Sequence, residues 1–331
     1  MFKKGLYLLL VSMAFFQISC EEIEDIIEPS ASRTFGIRHD RTLEDYENAV
    51  QSGGDKPDFS AVVAFSYSLN GSDNEDYVAT GTLIAPNWIL TAGHNFFVAE
   101  EQSSPAPASG IKVLVGNDPN NPDQLIEVEQ LYFHPTWLVD NRDFVFANDM
   151  CLVKLKTPVT SVNPVALYIS TTETLGSQVW YCGFGDYSGL QGQDPNLFSK
   201  KHALENTLDR ESDGITSTAN SVTYSGGLLA FDFDSPEENA NSLGDEIVNE
   251  DEALLGEGSS SSIPLNLEGT TVEGDSGGPI FLKENGQWKL AGVLSGGVPE
   301  PFSGHEDSSY GDISVFIKVS SQLNWINSIV K

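Results

Sequence analysis

From Phe59 to the carboxyl end, short apolar runs alternate with Gly, Asn and Pro, a spacing that predicts strands and turns. Ala61–Leu69 reads as a strand, Asn70–Asp76 as a polar turn and Tyr77–Ile84 as a second strand. Ala85-Pro86-Asn87 then turns the chain into Trp88-Ile89-Leu90-Thr91. Further strands are expected at Met150–Leu155, Ser177–Cys182, Ile280–Leu282, Trp288–Leu294 and Ser314–Val319. A proline-marked crossover, Thr157-Pro158 to Asn163-Pro164, divides the pattern into two β-rich halves. Only the last stretch changes period: Leu323, Trp325, Ile326, Ile329 and Val330 place an amphipathic helix over Ser320–Val330. The pattern is that of an all-β protein closed by a C-terminal helix.

The amino-terminal end has a different character. Lys3 and Lys4 precede an apolar run, Leu6–Phe16, that is too short to span a bilayer. It ends in Gln17-Ile18-Ser19-Cys20, which resembles the lipobox of bacterial lipoproteins, with Gln17 in place of the usual aliphatic residue. The resemblance implies a signal peptide at 1–19, lipidation of Cys20 and an extracytoplasmic address at the outer membrane or cell surface. Glu21–Pro29 holds five acids in nine residues and, with Ser30-Ala31-Ser32, reads as a solvated tether over 20–36. An acidic run beside a lipidated cysteine is also similar to the surface-export signal of some bacterial lipoproteins.

Composition sharpens this picture. The whole chain, with 40% hydrophobic and 20% charged residues, suits a protein with a globular body, placed at 37–331. Its 17 Lys+Arg against 48 Asp+Glu exclude a nucleic-acid partner, which needs a basic footprint. Between Arg210 and Lys283 there is no basic residue and there are 15 acidic ones, so 186–262 reads as an acidic insertion. Calcium could bind carboxylates in a run such as Phe231–Glu238, but no EF-hand spacing is present. A solvated acidic face is the favoured reading, with no metal or cofactor. Cys151 and Cys182 lie in apolar runs and read as buried free thiols.

The chemistry gathers around Glu273-Gly274-Asp275-Ser276-Gly277-Gly278-Pro279. One hydroxyl among three glycines can be presented at a surface while nearby amides converge on one spot. Upstream, Ala92-Gly93-His94 ends an apolar hairpin, and Asp149 begins the run Met150-Cys151-Leu152-Val153. A carboxylate drawn into a core in this way needs a partner. Gly-Asp-Ser-Gly-Gly also satisfies the nucleophile pattern of α/β-hydrolases, but those run Ser, acid, His and place a helix after the serine. Here only His305 follows Ser276, and Gly277-Gly278-Pro279 leads into a strand, so that reading fails.

The GDSGGP string, the segment GTLIAPNWILTAGH and the Phe133-His134-Pro135 and Asn148-Asp149 pairs resemble the trypsin/chymotrypsin-like serine proteases. Phe35–Arg41, GTLIAPNWILTAGH and the LLAFDFDSPEEN region look more like the bacterial members than the animal ones. The resemblance implies two six-stranded antiparallel barrels with the active site between them. It implies Ser276 as nucleophile, His94 as base then acid, Asp149 as its orienting group, and the Gly274 and Ser276 amides as the oxyanion hole. Thr270, Ser295, Gly297 and Ser314 fall at its substrate-binding positions, and Thr270 at the pocket base implies cleavage after uncharged residues. Asn95 stands where many relatives carry a cysteine, and Ala79 replaces its usual partner. Relatives pair the acid before the nucleophile, here Asp275, with an amino terminus freed by cleavage. Ile37 is the nearest candidate, but no basic residue directly precedes it and no Ile-Val-Gly-Gly follows, so activity without that cleavage is expected. The expected partner is a protein or peptide substrate, the expected state a monomer. An esterase using the same residues and a non-catalytic binding module are the alternative readings.

Overall fold

In the computed structural model the described residues are 36–69, 77–141, 148–170, 173–187, 198–244, 250–258, 260–298, 301 and 305–331. The expected leader, Cys20, the tether up to residue 35 and the polar turn at 70–76 lie outside them. The first half is a closed barrel of β1 (Val62–Tyr67), β2 (Tyr77–Ala85), β3 (Trp88–Thr91), β4 (Ile111–Val115), β5 (Gln124–Phe133) and β6 (Cys151–Leu155). The order is β1-β2-β3-β6-β5-β4, and antiparallel pairing of β1 with β4 closes it. Its interior holds Val63, Phe65, Ile89, Phe96, Val113 and Val153, all fully buried. Phe65 and Phe96 meet edge to face at 5.3 Å, a geometry that aromatic quadrupoles favour.

Where a second six-stranded barrel was expected, the other half is a seven-stranded sheet. It comprises β7 (Gln178–Gly183), β8 (His202–Thr207), β9 (Arg210–Ala219), β10 (Val222–Asp232), β11 (Pro279–Glu284), β12 (Gln287–Gly297) and β13 (Ile313–Lys318). The order is β8-β7-β11-β12-β13-β10-β9. The sheet curls, so that the Asp209 amide reaches the Ala230 carbonyl at 3.1 Å and the Asn206 amide group reaches the Asp232 carbonyl at 2.8 Å. Three of these strands lie within 186–262, the stretch expected as an insertion. Asn220 and Ser221, both at positive φ (51° and 64°), make the primed type of turn that joins β9 to β10.

The crossover links the halves, with the Val165 amide on the Leu83 carbonyl at 2.9 Å and the Tyr168 amide on the Leu290 carbonyl at 2.9 Å. At the carboxyl end a 3-10 turn, Ser320–Gln322, leads into the helix Leu323–Ile329, which buries Trp325 and Ile326. A second helix, Leu43–Ala49, was not foreseen. Thr42 and Asp45 form its capping box, and it buries Tyr46 and Ala49 against the body. Among the described residues no helix is long and apolar enough to cross a membrane.

Behind β10 the interior is acidic. Asp209, Asp232, Asp234 and Glu268 are all buried. The Asp232 carboxylate accepts from the Leu243 amide at 2.7 Å and the Ser260 hydroxyl at 3.0 Å, whereas Asp234 Oδ1 has no partner among the described residues. Burial, reinforced by the neighbouring acids, pushes Asp209 up to about 8 and Asp234 up to about 9. A carboxyl raised in the folded state contributes stability that is complete below its unfolded pKa and is lost as pH rises through its folded value. His134, pushed down to about 4 by burial, acts with the opposite sign, but only below its ordinary value of 6.5. Between roughly pH 6.5 and 9 the melting temperature should therefore fall. Asp234→Asn, which stays neutral at every pH, should flatten that slope and stabilise the protein at the alkaline end. Thermal melts across this range decide it, and a variant profile parallel to that of the unsubstituted protein would count against the assignment.

Candidate active site

Three chain segments meet where the barrel abuts the sheet. Just after β3, Gly93 lies against the Trp137 ring so closely that a Cβ would sit 3.1 Å from it, and His94 follows. Asn148, at φ 50°, turns the chain so that Asp149 points inward; its side chain is held by Gln322 of the C-terminal 3-10 turn at 2.7 Å. The Asp149 carboxylate is 0% exposed. Its Oδ1 accepts the His94 amide at 2.8 Å, and its Oδ2 lies 2.6 Å from His94 Nδ1. The Ser295 hydroxyl donates to the same Oδ2 at 2.7 Å. This carboxylate can hold the imidazole in one orientation with its proton on Nδ1.

The serine segment is strapped to both halves. The Ser276 carbonyl accepts the Thr80 amide at 2.9 Å and the Asn95 side-chain amide at 3.0 Å. The Thr80 hydroxyl donates to the Gly274 carbonyl at 3.0 Å, and the Gly277 amide reaches the Leu294 carbonyl at 3.0 Å. Gly277 has φ +85°, and a Cβ there would come within 2.1 Å of the Thr91 hydroxyl and 2.4 Å of the Thr80 carbonyl, so only glycine fits. The Asp275 and Gly278 amides are used inside the turn, on Val272 and Asp275 carbonyls. Among the described residues the Gly274 and Ser276 amides have no hydrogen-bond partner.

Ser276 opens onto a cleft of about 350 Å³ whose walls include Thr270, Leu294, Gly297, Val298 and Ser314. At its base the buried Thr270 and Ser314 hydroxyls lie 3.0 Å apart. At the rim Asp307 is exposed, while Asp312 lies 2.9 Å from His305 Nε2 and accepts the Ser308 amide at 2.8 Å. Of the expected substrate-binding residues, Thr270, Gly297 and Ser314 share this cleft and Ser295 does not. Ser295 sits where the register of β12 against β13 shifts between Leu294 and Gly296, and its hydroxyl is turned to Asp149. Asn95 and Thr80 went unremarked as site residues. The signal for Asn95 was a polar residue where relatives keep a cysteine; Thr80 carried none.

A closed antiparallel barrel beside a curled antiparallel sheet, with a C-terminal helix, is a trypsin-like fold. The Trypsin family profile matches residues 52–226 and 263–326, well over half of the chain, and the chain belongs to that family. Among solved structures it resembles a Glu endopeptidase in complex with MPD, with a TM-score of 0.53 and 15% identity over 84% of this chain and 94% of that one. At that identity the likeness concerns the fold. The profile leaves out the helix Leu43–Ala49 and residues 227–262.

Proposed function

We propose that the protein is a serine endopeptidase working through an acyl-enzyme, with Ser276, His94 and Asp149 as its triad. Ser276 Oγ attacks the scissile carbonyl carbon while His94 takes the hydroxyl proton. His94 then gives that proton to the leaving amine, and water attacks the ester by the reverse route. The Gly274 and Ser276 amides hold the oxyanion, a role typically worth about 10²–10³ in rate per donor. The single observation that carries this reading is the 2.6 Å contact of His94 Nδ1 with a wholly buried Asp149, beside a serine that opens onto the cleft.

The Thr270 and Ser314 hydroxyls face each other at the pocket base and Asp312 is engaged by His305, which supports cleavage after uncharged residues. The lipobox-like Gln17–Cys20 supports a lipid anchor at Cys20 that holds the enzyme as a monomer on a bacterial outer membrane or cell surface. A fluorophosphonate probe followed by peptide mapping tests both parts. The probe should sit on Ser276, and the amino-terminal peptide should begin with a lipidated Cys20. A folded protein that leaves Ser276 unlabelled would refute the first part, and an unmodified terminus downstream of Cys20 the second.

A further inference from the structure

Asp275, directly before the proposed nucleophile, is 0% exposed. A carboxylate enclosed this way is costly unless donors and a compensating group surround it. Oδ1 accepts the Gly185 amide at 2.8 Å and lies 3.3 Å from His202 Nε2, a close approach outside hydrogen-bond geometry. Oδ2 accepts the Val272 amide at 3.0 Å and lies 2.9 Å from the Tyr187 hydroxyl. That hydroxyl is also 2.7 Å from the Thr270 carbonyl, and its single proton serves one acceptor at a time. Burial and the charge of Asp275 hold the Tyr187 phenol well above its ordinary range, so it remains a protonated donor.

The cradle is built for this acid. A Cβ on Gly183 would come within 2.1 Å of the Asp275 carboxylate and one on Gly185 within 2.6 Å. The His202 ring, its side chain 1% exposed, packs on Tyr187 with centroids 4.0 Å apart. Beside it a cavity of about 170 Å³ is walled by Leu43 and Glu47 of the unforeseen helix, with Phe198 and Lys200. Meanwhile Ile37 is already engaged. It bridges to Gly269, while the Gly36 amide and carbonyl bond Ser308 and Thr270 at 2.8 and 2.9 Å. Cleavage before Ile37 would first have to pull Gly36 out of those bonds.

We infer that His202 and Tyr187 are positioning residues of the catalytic loop. From within the fold, the Tyr187 hydrogen bond and the His202 ring packed beside it fix Asp275, and through it the amides of Gly274 and Ser276, so no amino terminus freed by cleavage is needed. The inference rests on Ser276 being the nucleophile. Its effect is on kcat, because the amides it aligns meet charge that develops only in the transition state.

The test uses the uncleaved full chain and the variants His202→Ala, His202→Gln and Tyr187→Phe. One readout is deuterium uptake by peptides covering 272–278, the other kcat and KM per fluorophosphonate-titrated site. His202→Ala and Tyr187→Phe should each speed exchange in 272–278 and lower kcat by about 10²-fold, the scale of a small misplacement of reacting groups, with KM little changed. His202→Gln, whose side-chain amide can donate to Asp275 and fills part of the space of the ring, should recover most of the loss. Tyr187→Phe keeps the ring and its packing, so it answers the question even where His202→Ala does not fold. Unchanged exchange and unchanged kcat in Tyr187→Phe, or turnover that appears only after cleavage before Ile37, would overturn the inference. A wild-type chain that neither labels at Ser276 nor hydrolyses peptides would sink the protease reading instead, and the exchange comparison would still judge the cradle.

Discussion

Alanine in place of Ser276 is expected to cut peptide turnover by about 10⁶, the loss typical of a missing triad nucleophile. The fold should not notice. What ties this residue to Thr80 and Asn95 is its carbonyl, which alanine keeps, and the flanking turns are set by Gly274 and Gly277 at positive φ. The measurement is hydrolysis of a peptide library followed by mass spectrometry, with a thermal melt alongside. Wild-type turnover by a folded Ser276→Ala protein would end the assignment. In the same library the wild-type enzyme should leave products that end in uncharged residues, because the pocket base offers only the hydroxyls of Thr270 and Ser314. Products ending mainly in Arg or Lys would overturn that specificity and point to Asp307 at the rim.

Asp149→Asn should be the second most damaging change, at about 10⁴ in kcat. The reason lies in which atom faces which. The His94 amide needs an acceptor at the Oδ1 position, so the asparagine oxygen must sit there and its NH₂ must replace Oδ2. That NH₂ then faces His94 Nδ1, which can only accept. The imidazole proton moves to Nε2, and the ring loses the lone pair a base requires. Ser295, which now donates to Oδ2, would have to turn its hydroxyl round. A per-site kcat within about tenfold of wild type would contradict this role for Asp149.

Much of the site was legible because its parts are local. Trp88–Thr91 was read with the bounds that β3 has, and His94, Asp149 and Ser276 each stand at the end of an apolar run or within a glycine turn. The second half was harder. Residues 186–262 looked like an insertion because acids dominate them, yet β10 buries Leu228, Leu229, Ala230 and Phe231, and the acids Asp209, Asp232 and Asp234 lie inside with them. Composition averages over position and so hides the strands. His202 gave no local signal at all, since its partner Asp275 comes to it only when β7 and β8 pair behind the serine loop. The direction of Ser295 was equally hidden, because a strand's faces are assigned by what packs on each side.

The two unpaired cysteines among the described residues give the molecule a pair of internal clocks. Cys151 is sealed within the barrel, beside Val63 and Ile89. Cys182 is sealed where barrel and sheet meet, among Val62, Ala64, Trp180 and Phe281. Burial holds both thiols well above their ordinary range, so neither meets an alkylating reagent as a thiolate until its surroundings open. The rate at which Cys182 is trapped therefore times the parting of the two halves, and that of Cys151 the opening of the barrel itself.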